Sequence, residues 1–137
     1  MRYIFILNPH AGRKKKSRAL IDLIANQMKV SSHDYEFAFT TAAGDATQIA
    51  SEAAKEGFDL VVAVGGDGTV NEVASGLVRT KSTLGIIPVG SGNGVARSLK
   101  IPLAVDENIK LLISPLISTI DVGKINDKYY PGLAGSI

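Results

Sequence analysis

Apolar residues along this chain alternate between two spacings, and the alternation predicts a parallel sheet covered by helices. Short runs rich in β-branched and aromatic residues predict four strands, at residues 3–7, 35–39, 60–64 and 84–88. Longer segments between them carry apolar residues three and four positions apart, as one face of a helix requires. We therefore predict an α/β fold in three αβα layers, with a mostly parallel, Rossmann-like sheet.

The helical spacing places a packing face on each connecting segment. The first helix is predicted over residues 16–28 and the second over 45–56. A third follows a glycine turn and carries Val70, Val73, Ala74 and Leu77 on one face. A short helix around residues 95–99 and a longer one over 106–114 complete the pattern.

The last part of the chain has a different pattern. Residues 118–125, a turn at Asn126 and Asp127, and residues 128–130 are typical of a β-hairpin. The chain then ends in an apolar, glycine-containing segment that is typical of an interrupted strand. We predict an α/β domain over residues 1–117 and, over 118–137, the first strands of a truncated β-rich second domain.

Composition narrows the classes of function. The chain has 137 residues, a formal charge of +2 and a sequence pI near 8.9, and much of its positive charge lies in residues 13–18. Aromatic residues do not interleave with this run, which argues against a nucleic-acid-binding surface. With no cysteine, disulfides and thiolate metal sites are excluded. The first apolar run is too short for a signal or membrane segment, so we expect a cytoplasmic protein.

The segment after the third predicted strand carries the strongest chemical signal. Gly65, Gly66, Asp67, Gly68 and Thr69 stand between an apolar strand and a helix. Glycines let main chain approach a bulky anion, and the helix directs its first amides toward the same point. A purely structural turn, with Thr69 as helix cap, is the alternative. The segment matches neither a Walker loop nor the dinucleotide fingerprint.

Three more segments follow predicted strands and so belong at the same sheet edge, where open α/β sheets bind ligands. Residues 8–12 precede the basic run, Thr40 ends the second strand before the possible cap Asp45, and residues 90–94 alternate glycine with Ser91 and Asn93. Each could instead be an ordinary loop. The two histidines, His10 and His33, cannot form a histidine-rich metal site.

Together these residues resemble the diacylglycerol kinase catalytic-domain superfamily, which includes the sphingosine kinases and, more distantly, the NAD kinases. The resemblance covers nearly the whole chain. Residues 8–12 resemble the family's opening nucleotide loop, Thr40 with residues 44–46 its second, residues 65–69 with Asn71 and Glu72 its signature, and residues 90–93 its third. The resemblance implies ATP binding by these positions: Asn8, Pro9, His10, Ala11, Gly12, Thr40, Gly65, Gly66, Asp67, Gly68, Thr69, Val70, Asn71 and Ser91.

Asp67 is the predicted catalytic residue. A carboxylate there could orient Mg²⁺-bound phosphate through water or accept a proton from a hydroxyl, and the sequence does not choose between these roles. The metal ligands are unknown. Gly94 stands where many diacylglycerol kinase relatives have aspartate, and Gly90 to Asn93 is closer to the sphingoid-base kinase version, so the acceptor lipid stays open.

The leading hypothesis is the nucleotide-binding half of an ATP-dependent lipid kinase, with ATP and Mg²⁺ as cofactors. Its acceptor is a diacylglycerol or sphingoid-type lipid met at a membrane surface, and this chain alone is expected to lack part of the active site. Two alternatives remain: a non-catalytic nucleotide-binding module and an NAD kinase-like phosphotransferase. No nucleic-acid partner is expected, and the oligomeric state is open, with a homo-oligomer possible.

Overall fold

The computed structural model describes residues 1–8, 14–89, 94–98 and 103–113. Strands and helices alternate along these residues as the periodicity predicts. The four strands are confirmed to within one residue at each end, and the helix ends differ from the prediction by up to three residues, as fraying ends do. The elements are β1 Arg2–Leu7, α1 Lys14–Ser31, β2 Asp34–Phe39, α2 Asp45–Lys55, β3 Leu60–Gly65, α3 Asp67–Leu77, β4 Thr83–Pro88, α4 Gly94–Ser98 and α5 Val105–Leu112.

The four strands form a parallel sheet in the order β2-β1-β3-β4. Leu7, the last residue of β1, pairs with Phe39 of β2 and Val64 of β3, and Gly65 pairs with Pro88 of β4. All four strands therefore end at one edge. Every residue of β3 is buried, as expected of a parallel strand covered on both faces.

Helices cover both faces of the sheet, which confirms the three-layer prediction. Successive side chains of a strand point to opposite faces, so each strand supplies two cores. One core joins Ile4, Ile6 and Val61 to α2 and α3, and the other joins Phe5 and Val62 to α1 and α5.

Helices α2 and α3 pack unusually closely at Gly76. A Cβ atom added there would lie 2.3 Å from the Thr47 carbonyl oxygen and 2.8 Å from the Ala50 Cβ, both on α2. The Thr47 hydroxyl also donates a 2.8 Å hydrogen bond to the Glu72 carbonyl oxygen. The two helices therefore form one packed pair on this face of the sheet.

Helix α5 is attached to the other face through the start of β1. The buried Tyr3 hydroxyl donates a 2.5 Å hydrogen bond to the Leu112 carbonyl oxygen at the end of α5. Burial, and secondly the negative charge of Asp59, raises the pKa of Tyr3 above 10.0. Tyr3 therefore stays neutral and keeps α5 on β1 at physiological pH.

The predicted hairpin and the boundary at residue 117 lie outside the described residues, so the second domain stays a prediction. Within the part of the chain that the structure describes, no helix is both long and apolar enough to cross a membrane.

Candidate functional site

The strand ends converge at the carboxyl edge of the sheet. Asn8 is exposed directly after β1, Thr40 follows β2, Gly66 follows β3 and Val89 follows β4. Backbone bonds join these ends, from Thr40 N to Leu7 O and from Val89 N to Gly65 O, each 3.0 Å. Helix α1 follows β1 and helix α3 follows β3, and the two helices lie on opposite faces of the sheet. This makes the neighbouring strands β1 and β3 the switch point where such sheets open a crevice for ligands.

The glycine segment after β3 is shorter than predicted, because most of it is helical. Gly66, in an extended conformation, is the N-cap of α3, and the helix begins at Asp67 rather than after Thr69. A carboxylate in the first turn favours this earlier start, since it lies near the positive end of the helix. Thr69 is inside the first turn and is not the cap, so the alternative in which Thr69 caps the helix is wrong.

The glycines of this segment differ in what surrounds them. A Cβ added at Gly65 would lie 2.8 Å from the Thr69 hydroxyl oxygen, so glycine there lets the strand end approach the helix closely. A Cβ added at Gly68 would have nothing within 4 Å, so main chain is open on that side. Gly65 therefore has a packing role, whereas Gly68 keeps the backbone accessible.

Asp67 connects the start of α3 to the start of α4. Its Oδ2 accepts a 2.8 Å hydrogen bond from the backbone amide of Gly94. A Cβ added at Gly94 would approach the same oxygen to 3.3 Å, tighter than most such contacts. Gly94 is therefore packed directly against the predicted catalytic carboxylate.

The segment after β2 is organised around Asp45. Its Oδ2 accepts hydrogen bonds from the Thr41 amide and hydroxyl, both 2.8 Å, and from the Ala42 amide at 2.9 Å. These donors stabilise the charged form, with the Thr41 amide first, and lower the pKa of Asp45 below 3.8. The prediction of Asp45 as cap is wrong, because Gly44 is the N-cap and Asp45 turns back onto the preceding residues.

Thr40 lies at the predicted edge, but the structure buries it to 7% exposure. On α3, Asn71 follows Asp67 by four residues, so both lie on one side of the helix. The Asn71 Oδ1 atom is buried and has no hydrogen-bond partner among the described residues. A buried acceptor of this kind is uncommon in folded proteins and marks a position that a ligand could satisfy.

Glu72 has a role that sequence reasoning missed. Its carboxylate accepts a hydrogen bond from the Gly44 amide, 28 residues away, and its carbonyl accepts the Thr47 bond. In the sequence, Glu72 stands out only as part of the signature formed by residues 65–69 with Asn71 and Glu72. Nothing local to the signature indicates a partner in the segment after β2, because that contact depends on how α2 packs against α3.

A family profile described as diacylglycerol kinase catalytic domain matches residues 2–125 of this chain. The chain belongs to this family. The match confirms the predicted resemblance and relates the chain to a family of proteins that are named kinases.

The chain is 39% identical over 133 residues to the diacylglycerol kinase of Bacillus subtilis (strain 168), a match covering 95% of the chain and 44% of that protein. It is 34% identical over 131 residues to the diacylglycerol kinase of Staphylococcus saprophyticus, covering 94% and 43%. A crystal structure of a diacylglycerol kinase from Bacillus anthracis str. Sterne superposes with a TM-score of 0.73 at 33% identity, covering 82% and 39%. The chain thus spans less than half the length of these relatives.

The family's opening and third loops fall mainly on residues that the structure does not describe. Pro9, His10, Ala11, Gly12 and Ser91 are outside the described ranges and stay predictions. Helix α1 begins at Lys14, so its first three residues are all lysines. Among the described residues, no group of three or more histidines and carboxylates could hold a metal ion.

Proposed function

We propose that this chain is the nucleotide-binding part of an ATP-dependent lipid kinase, which transfers the γ-phosphoryl group to a hydroxyl of a diacylglycerol or sphingoid-type lipid. The observation that carries the proposal is the start of α3, with its glycine N-cap, at the switch point of the sheet. Membership of the diacylglycerol kinase family supports the kinase class. The names of the relatives favour diacylglycerol as acceptor.

The start of α3 fits a phosphate group. The first amides of a helix have no acceptor within the helix, and Gly66 has no side chain to cap them. The amides of Gly68 and Thr69 are therefore suited to bind phosphate oxygens, at a helix end that carries about +0.5 elementary charge. The basic run over residues 13–18 would add positive charge.

The oxygen atoms on one side of α3 fit Mg²⁺. Magnesium in nucleotide sites is usually held by one or two carboxylates together with phosphates and water. On this side of α3, the Asp67 carboxylate and the Asn71 Oδ1, which has no partner among the described residues, would serve as oxygen ligands. When bound, Mg²⁺ would neutralise charge on the transferring phosphate. Asp67, held in place by the Gly94 amide, would bind the metal or accept the proton of the lipid hydroxyl.

Calorimetric titration of the chain with ATP, with and without Mg²⁺, tests the nucleotide site. The variant Gly66→Val places a branched side chain at the N-cap and should abolish binding. Asn26→Val adds the same side chain at an exposed position on α1 and should leave binding unchanged. If the folded wild-type chain binds no ATP, or if Gly66→Val binds as well as wild type, the proposed site is wrong.

The acceptor needs a separate experiment. Radiolabelled ATP is supplied with vesicles containing diacylglycerol and, in a parallel reaction, with NAD. Label in the organic extract supports the lipid kinase, whereas label in NADP supports an NAD kinase-like enzyme. Nucleotide binding with no label in either product supports a non-catalytic module if the natural protein also ends at Ile137.

A further inference from the structure

The hydrogen bond between the Gly44 amide and the Glu72 carboxylate connects two separate parts of the proposed site. Gly44 precedes α2 in the segment that follows β2, and Glu72 lies in the second turn of α3. The start of α3 is the proposed phosphate site. The contact therefore links the segment after β2 to the helix that would bind phosphate.

The segment at residues 41–44 depends on such contacts for its shape. All four residues are exposed, and Gly44 has a φ of +90°, which L side chains rarely adopt. The Thr41 and Ala42 amides donate their hydrogen bonds to the carboxylate of Asp45, which lies only four and three residues further along the chain. The bond from Gly44 to Glu72 ties this segment to α3, an element other than the adjoining α2.

The backbone of Glu72 is held by α2. Its carbonyl oxygen accepts a 2.8 Å hydrogen bond from the Thr47 hydroxyl. One turn later on α3, Gly76 lies close to the Thr47 backbone. Helix α2 therefore cannot slide along α3 without breaking this packing. The Glu72 side chain therefore extends to the exposed segment from a backbone position that the packing of α2 on α3 fixes.

From these contacts we propose that Glu72 is a positioning residue, which fixes residues 41–44 beside Thr40 and so shapes one wall of the nucleotide site. The inference rests on the proposed function of that site. Because Glu72 acts through Gly44, its loss should weaken nucleotide binding more than it slows phosphoryl transfer. Glu72 lies five residues after Asp67, about 140° around the helix, and thus faces away from the proposed reacting groups.

The test compares Glu72→Ala with Glu72→Gln. Glutamine retains an oxygen that accepts from the Gly44 amide, whereas alanine does not. Glu52→Ala is the matched control, since Glu52 is an exposed glutamate on α2 whose side chain contacts Gln48 at 3.3 Å. Each variant is examined by amide hydrogen exchange at Thr41, Ala42 and Gly44, by thermal unfolding, by titration with ATP and Mg²⁺, and by phosphoryl transfer to diacylglycerol vesicles.

We expect faster exchange at Gly44 in Glu72→Ala and a dissociation constant for ATP about 10-fold higher, the loss typical of a hydrogen bond to a charged group. Glu72→Gln should recover most of the affinity, and Glu52→Ala should match wild type. A structural role alone would lower the unfolding temperature and leave the affinity unchanged.

Three results would overturn the inference, two of them in Glu72→Ala. One is wild-type affinity in Glu72→Ala, and the other is Gly44 exchange that the substitution does not change. If Glu72→Gln binds normally but loses turnover, Glu72 takes part in the chemistry and the positioning role is wrong. Failure of the wild-type chain to bind ATP would instead overturn the proposed function, and the exchange data would still report whether Glu72 fixes the segment.

Discussion

The Gly94 amide donates a 2.8 Å hydrogen bond to Asp67 Oδ2 and so fixes the start of α4 against the start of α3. The two residues are 27 positions apart and lie after neighbouring strands, β4 and β3. The predicted catalytic carboxylate therefore also has a structural contact. Substitutions at Asp67 have to separate these two roles.

Asp67→Asn should abolish phosphoryl transfer while leaving the fold intact. Asparagine keeps an oxygen that accepts the hydrogen bond from the Gly94 amide. Because it has no negative charge, it cannot stabilise Mg²⁺ as a carboxylate does or accept a proton from the lipid hydroxyl. We expect transfer to a diacylglycerol vesicle to fall at least about 100-fold, the range of a lost general base. Thermal unfolding should match wild type, and Asp67→Ala should lose both activity and stability. Undiminished turnover in Asp67→Asn would exclude the catalytic role.

Gly76→Ala should destabilise the fold, although alanine is a better helix former than glycine. The added Cβ would meet the Thr47 carbonyl oxygen at 2.3 Å, which is backbone and cannot rotate away. Helices α2 and α3 would have to separate, at a cost of about 1–3 kcal/mol in the free energy of unfolding. Urea denaturation measures this cost.

Gly68→Ala is the matched control for stability, because the Cβ at this helical position has nothing within 4 Å. It should be neutral or stabilise the protein by up to about 1 kcal/mol. Equal effects at Gly76 and Gly68 would show that the contact between α2 and α3 is not as close as the structure indicates.

The Asp45 carboxylate should make stability depend on pH in the acidic range. Its pKa in the folded state lies below 3.8, so the folded state binds fewer protons than the unfolded state there. The stabilisation is present above 3.8 and is lost as pH falls through the folded pKa. Thermal unfolding of wild type and Asp45→Asn, alongside NMR titration of Asp45, measures this loss.

Asp45→Asn does not titrate, so its difference from wild type should shrink as the pH falls below 3.8. A difference that stays constant through the acidic range would show that the Thr41 and Ala42 amides do not stabilise the charged carboxylate.

The sequence determined the α/β architecture, because its signals are local. Alternating spacings of apolar residues mark strands and helices wherever they occur, and β3 is apolar throughout because both faces of a parallel strand are covered. The family was also readable from the run at residues 65–69 with Asn71 and Glu72, and the profile match confirms it. The common edge at which the strands end then follows from parallel pairing.

Only the tertiary structure decided how the segments at that edge contact one another. The boundary between Gly66 and Asp67, the turn of Asp45 onto Thr41, and the contacts from Glu72 to Gly44 and from Asp67 to Gly94 were not predictable. The last two join residues 28 and 27 positions apart, which no periodicity relates. Such contacts arise when α2 packs on α3 and β4 pairs with β3, because packing brings distant backbone amides within reach of a carboxylate.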